Sequence, residues 1–386
     1  MAEFDLDGWL LYDFRRTNDL ACQVLEIPAH KLLTRRFFYW IPRNGTPIKI
    51  VHRIEEQSLA HLPGNTRPYA TWQELDFELR NAVQGSLKVA MEYSPRNAIP
   101  YISKVDAGTV EMIRSLGVEV VSSANLLQKF TSVWNKSQWQ AHLEAADVLD
   151  ETVSLAWIYI SEALQAKQAI TEYDVQQFII KQLQHNGCLT DDPPICAINE
   201  HSANPHYVPT QNDCSVIKPN DWILLDLWGK RNIPDAVYAD ITRVGVASPH
   251  PSQKQHQIFT IVKEARDKAT DFVSKSVQAK RKIYGWEVDQ VCRDVIHQAG
   301  YSQYFTHRTG HSIDLKDHGS GANIDNYETH DDRELIPGTC FSIEPGIYLP
   351  GEFGVRLEYD VYITHEGTIQ VTGGIQDAIT VLKAQS

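Results

Sequence analysis

Acidic residues stand inside the most β-like runs of this 386-residue chain, and that placement constrains the fold more than any other feature. Asp226 interrupts WILLDLW (222–228), Glu344 interrupts CFSIEPGIY (340–348), and Glu358 sits in VRLEYDVYI (355–363). An unpartnered buried charge is costly, so each needs a cation, a donor network or a raised pKa. Any one of them alone can face water or meet a structural arginine, because alternate side chains of a strand point to opposite faces. Together they are harder to dismiss, since Asp240 in YADITR follows Asp226 at fourteen residues, a gap that suits a hairpin presenting both aspartates to one point. The nearby bases Arg243 and Arg356 can neutralise part of such a cluster, not four converging carboxylates. A pair of divalent cations would balance it. Hard cations favour carboxylate oxygen, and an added imidazole shifts preference toward Mn, Fe, Co or Zn.

Imidazoles are at hand. The segment FTHRTGHSIDLKDHGSG carries His307, His311 and His318, flanked by Gly310 and Gly319, and His206 lies in the polar loop NPHYVPT. A lone histidine is more often structural than a ligand, but three within twelve residues favour a site.

Around this cluster the chain reads as two parts, 1–132 and 133–386. The first alternates short apolar β-like runs (8–13, 37–41, 47–52, 87–92, 118–123) with helical stretches at 71–84 and 101–116, the second ended by Gly117. Such alternation predicts an α/β domain on a mixed sheet. In the second part, Ser137 with Gln140 predicts the cap of a long helix, and Thr171 with Asp174 that of a helix ending near Gly187. Ser252 with Gln255 opens another long helix to about 278, and a shorter one runs from 286 to Gly300. A shift of 113 residues superimposes Val175 on Val288, Leu183 on Ile296 and Gly187 on Gly300, which predicts two similar α+β halves with a site between them.

The formal charge of −13, from 36 basic and 49 acidic residues, argues against nucleic acid as a partner. MAEFDLDGWLLYDF lacks the basic start of a signal peptide. No apolar run approaches the roughly 18–20 residues of a membrane span, so no membrane partner is expected. The six cysteines form no CxxC pair, and free thiols in a cytoplasmic protein are expected.

At these residues the chain resembles the pita-bread metallopeptidases: methionine aminopeptidase, aminopeptidase P and prolidase, with creatinase a metal-free cousin. The family's ordered signature reads here as Asp226 in LLDLWG, Asp240 in YADITR, His311 in TGHS, Glu344 in FSIEPGIY and Glu358 in GVRLEYD. The resemblance implies a creatinase-like N-terminal domain and a pita-bread catalytic domain of two pseudo-repeated halves. It implies two divalent metals, manganese first and cobalt or zinc next, held by those five residues, with Asp240 and Glu358 bridging. Glu344 would also be the general base toward hydroxide on the metal pair, which lowers the pKa of a shared water. His206 and His318 would donate hydrogen bonds to substrate, and His307 and Arg356 match positions of the proline-cutting branch. The substrate implied is a peptide with proline second, cut at the Xaa-Pro bond, by a homodimer. Ser312, Asp314, Gly319 and Tyr359 depart from the family pattern beside the expected cleft. Rival readings are a lyase or amidinohydrolase acting on a small non-peptide, and an inactive binding protein.

Overall fold

The computed structural model describes residues 1–382, in two units, Met1–Thr131 and a second that begins at Ser132. The first unit holds strands β1 (Gly8–Asp13), β2 (Phe37–Pro42), β3 (Ile48–His52), β4 (Asn65–Tyr69), β5 (Lys88–Met91) and β6 (Glu119–Ser122). Its helices are α1 (Asp19–Val24), α2 (Trp72–Ala82), α3 (Ala107–Arg114) and α4 (Ala124–Thr131). The sheet runs β4-β3-β2-β1-β5-β6 and is mixed, with β1–β2–β3 antiparallel and the remaining pairs parallel. All five expected strands are present. The sheet's sixth strand, β4, carries Pro68, which cannot donate to a ladder and is tolerated at this edge. The second expected helix is shorter than 101–116, because Pro100 opens a separate 3-10 turn and Asp106 caps α3 through the amide of Thr109 at 2.8 Å.

The second unit starts with α5 (Lys136–Gln165) and α6 (Glu172–His185), followed by β7 (Cys188–Leu189), β8 (Ile195–Ile198), β9 (Trp222–Arg231) and β10 (Tyr238–Val246). Next come α7 (Gln253–Gln278) and α8 (Gly285–Gln298), then β11 (Ser312–Ile313), β12 (Cys340–Ile343), β13 (Gly346–Leu349), β14 (Phe353–Arg356), β15 (Tyr359–Ile363), β16 (Ile369–Thr372) and β17 (Thr380–Val381). Asn135 and Gln138, not Ser137 and Gln140, form the capping box of α5: each side chain accepts the other's backbone amide at 3.0 Å. The other two caps fall at Thr171 and Ser252.

Helices α6 and α8 start 113 residues apart (172 and 285), and α5 and α7 end at the same offset (165 and 278). Each helix pair covers its own hydrophobic core. Leu149, Val153 and Ile160 of α5 pack with Ile223, Leu225 and Leu227 of β9, whereas Val262 and Ala265 of α7 pack with Phe341, Ile343, Val361 and Ile363 of β12 and β15. The first half's sheet runs β17-β10-β9-β7, with β8 also on β9, and the second's β11-β12-β15-β16. All six cysteines are unpaired. Among the described residues no helix is long and apolar enough to cross a membrane.

Candidate metal centre

Strand register builds the centre first. In the antiparallel pair β9–β10, Asp226 lies opposite Thr242 and Asp240 opposite Trp228, so both aspartates fall on one face, one step apart along the diagonal. Trp222, Leu224, Val244 and Val246 share that face and are sealed into the second-half core, which fixes the register. The two glutamates were expected inside strands. Each instead occupies a break, Glu344 between β12 and β13 and Glu358 between β14 and β15. Pro345 cannot continue a ladder, and the Glu358 amide crosses to the carbonyl of Thr242 on β10 at 3.4 Å.

Asp240, His311 and Glu358 each offer one ligand atom, all within 4.8 Å of one another and all buried. His311 Nε2 lies 3.6 Å from Asp240 Oδ2 and 3.4 Å from Glu344 Oε1. Burial, then Arg308, pushes the His311 pKa down to about 3, so its imidazole is neutral. Asp226 faces the same cluster but is already engaged. Its Oδ2 pairs with Arg356, and its Oδ1 meets Thr242 Oγ1 at 2.8 Å. That hydroxyl also lies 2.6 Å from Glu358 Oε2, and one hydroxyl proton cannot serve two carboxylates.

Charge here is short of compensation. Asp240 Oδ1 and Glu358 Oε1 are buried with no hydrogen-bond partner. Burial and then neighbouring carboxylates push both pKa values well up, and Glu344 is pushed up to about 8 by burial first, with Asp240 and Asp226 adding. Arg243 does not relieve this, contrary to the sequence-based expectation. As an odd residue of β10 it points away from the aspartates, and its guanidinium binds the carbonyls of Thr242 and Glu358 at 3.0 and 2.5 Å, with those of Gly373 and Gly374. Orphaned carboxylate oxygens beside a neutral imidazole are the donor set a hard or borderline divalent cation takes, and the residues present fit one.

The remaining expected residues surround this core unequally. His307 Nε2 meets Tyr348 Oη at 2.7 Å, and Arg356 Nη1 donates to the same oxygen at 3.2 Å, so a line runs from His307 through Tyr348 and Arg356 to Asp226. The His318 ring lies tilted against that of His311, centroids 4.2 Å apart, with two thirds of its side chain (67%) exposed. His206 is exposed, on a loop that buried Glu172 fastens through Ile198 N, His201, Tyr207 Oη and Ser215 N. Neither histidine enters the buried cluster, as befits groups left open to a ligand.

Sequence reasoning missed Thr242, Tyr348, Asp317 and Asp360. Asp360 Oδ2 accepts the Asp240 amide at 2.9 Å, and its other oxygen is orphaned. Of the departures, Tyr359 turns away from the site: its hydroxyl meets Thr270 at 2.8 Å and Arg266 lies over its ring, both on α7. Asp314 and Gly319 shape the turn after His311. Asp314 accepts the amides of Lys316 and Ser320 at 3.0 and 2.8 Å, and a Cβ on Gly319 would lie 2.6 Å from its carboxylate. Ser312 braces the same turn by accepting the amide of Gly321 at 3.1 Å.

Comparison with known proteins gives the family and the fold. Residues 140–365 match metallopeptidase family M24, and the chain belongs to that family. An Xaa-Pro dipeptidase of Lactobacillus helveticus is 36% identical over 199 residues, 51% of this chain and 48% of the relative. The chain thus matches about half the length of that curated relative. Two solved structures align over nearly the whole chain: dipeptidase PepE of Mycobacterium ulcerans (TM-score 0.71, 23% identity, 99% of this chain and 94% of that one) and an Xaa-Pro dipeptidase of Bacillus anthracis (0.62, 23%, 99% and 96%). The fold is that of the creatinase-like, pita-bread proteins.

Proposed function

We propose that this protein hydrolyses Xaa-Pro bonds at the N-terminus of peptides or in dipeptides, with the chemistry in residues 133–386 and 1–132 as a separate domain. The observation that carries the reading is the buried Asp240–His311–Glu358 group with its two orphaned carboxylate oxygens, in a chain of family M24. Asp226, Asp240, His311, Glu344 and Glu358 would hold a pair of divalent cations, manganese before cobalt or zinc, given four carboxylates and one imidazole. Bound cations supply an acidified water and a polarised scissile carbonyl. Glu344, 3.4 Å from His311 Nε2, takes the water's proton and delivers it to the proline nitrogen. Arg356 holds Asp226 in place, and the exposed imidazoles of His206 and His318 donate to the substrate carbonyls. An Xaa-Pro bond is a tertiary amide with no N–H, so a site that relies on donors to carbonyls accepts it. The relatives named as Xaa-Pro dipeptidases support that substrate class. Six unpaired thiols favour the cytoplasm, and a homodimer follows from the family resemblance alone.

The test is hydrolysis of Ala-Pro, Ala-Pro-Ala and Ala-Ala-Ala by protein reloaded with Mn, Co or Zn, beside a chelated control. Chelator-sensitive release of alanine from the proline substrates alone is expected. The Glu344→Gln variant should keep its fold and, assayed at saturating metal, lose turnover by at least ~100-fold. Cleavage that survives chelation, or near-normal turnover in that variant, removes the proposed chemistry.

A further inference from the structure

One carboxylate beside the centre belongs to none of the roles given so far. Asp317 sits in the turn that folds back after β11, and its buried Oδ1 has no hydrogen-bond partner. Two features converge on it. One carboxylate oxygen of Asp317 and one nitrogen each of His311 and His318 lie within 4.8 Å of one another, a second ligand-competent group that shares His311 with the first. The charges of Asp317 and Asp240 oppose one another, and the buried Oδ1 of each lacks a hydrogen-bond partner, a conflict that a shared proton or a cation reconciles. His311 Nδ1 also lies 3.3 Å from the Ser312 backbone carbonyl. A carbonyl on one ring nitrogen makes it the donor and frees the other as a ligand lone pair, the usual second-shell device of metal-binding histidines.

The cluster does not rest on acidity alone. The orphaned oxygens of Asp240 and Glu358 belong to residues 4% and 1% exposed, and each of these residues has a ligand atom within 4.8 Å of one on His311. The turn that delivers Asp317 is itself built for the purpose. Gly319 N donates to Ser312 O at 2.7 Å, and Asp314 closes the loop from inside by accepting two amides. We propose that Asp317 is a sixth protein ligand, whose carboxylate would join that of Asp240 on the cation that His311 would hold, with the neighbouring His318 left free to face substrate. The assignment rests on the two-cation reading above and adds a residue to it. It also alters the charge: Asp226, Asp240, Asp317, Glu344 and Glu358 against Arg356 and two divalent ions leave the centre neutral before any hydroxide forms. Cations should be held tightly as a result.

Metal-free protein titrated with Mn²⁺ tests this, with bound equivalents and each dissociation constant measured for the wild type, Asp317→Asn and Asp240→Asn. Melting of the metal-free proteins is followed in parallel. Wild type should take up two equivalents. Asp317→Asn should weaken one of them by at least about tenfold, since even outer-shell partners of metal ligands cost 10–100-fold. Metal-free Asp317→Asn should also melt higher than wild type, because a repelling carboxylate is gone, whereas a merely structural aspartate would melt lower. Asp240→Asn should weaken both equivalents. Wild-type affinities in Asp317→Asn with weakened binding in Asp240→Asn would overturn the Asp317 assignment alone. Two undiminished equivalents in Asp240→Asn would overturn the two-cation reading and this one with it. Should the Asn variant not fold, Asp317→Ala is titrated in its place, with the same outcomes.

Discussion

Gly319 shows how one missing methyl group can set a site. A Cβ there would sit 2.6 Å from an oxygen of Asp314 and 3.0 Å from the Ser312 carbonyl. Asp314 cannot retreat without dropping the amides of Lys316 and Ser320, and buried acceptors left unmade are costly. Gly319→Ala is therefore expected to cost about 1–3 kcal/mol, the usual range for overpacking a tight site. Urea denaturation measures that loss, and kcat/KM on Ala-Pro should fall with it, because His318 is the preceding residue. The same logic explains why a departure from the family pattern sits here. Carboxylate and glycine are a matched pair, so replacing either alone should be worse than replacing both.

Helix α5 carries His142, which fastens it to the two larger sheets of its unit. Nδ1 lies 2.7 Å from the Tyr238 carbonyl on β10, and Nε2 2.7 Å from Thr372 Oγ1 on β16. Burial pushes its pKa down to about 4, from about 6.5 in an unfolded chain. The unfolded state thus binds the proton first, and the stability present above pH 6.5 drains away as pH falls toward 4, by about 3 kcal/mol in all. Comparing urea midpoints of metal-free wild type and His142→Gln across that window should show a shallower slope in the variant. At this scale much was legible from sequence. Helices α6 and α7 announce themselves by cap and period and α8 by its period, charges within apolar runs mark out Asp226, Asp240, Glu344 and Glu358, and the family resemblance singles out His311 among the histidines. Other features depend on contacts that sequence spacing does not encode. Asn135 and Ser137 are equally good cap residues, and only the chain's path decides which side chain meets the third amide. Asp317 becomes visible when the 314–320 turn closes, and Tyr348 when its hydrogen bonds to His307 and Arg356 form. Arg243 is different: strand alternation already sends it away from its neighbours Thr242 and Asp240, and applying that rule to β10 would have excluded it.

For the molecule as a whole, the proposed cations would make binding and folding one equilibrium. Carboxylates that repel each other in the empty protein attract once a divalent ion lies between them, so the ion stabilises only the folded chain. At a hundred times its dissociation constant a ligand adds about 2.7 kcal/mol, which for a unit of this size shifts the melting point by roughly 5–10 °C. Calorimetry with and without chelator should find that gap, and a melting point indifferent to chelation would mean that the cluster is balanced by protons alone. The doubled architecture has one more consequence. Asp226 and Asp240 precede the exposed link around Pro249 and His250, while His311, Glu344 and Glu358 follow it. A backbone nick there would part Asp226 and Asp240 from the proposed ligands His311, Asp317, Glu344 and Glu358, and would part Trp222, Leu224, Val244 and Val246 from the core they share with α7. The proposed centre would then be a coincidence detector written into the chain, complete only when both parts are present and docked.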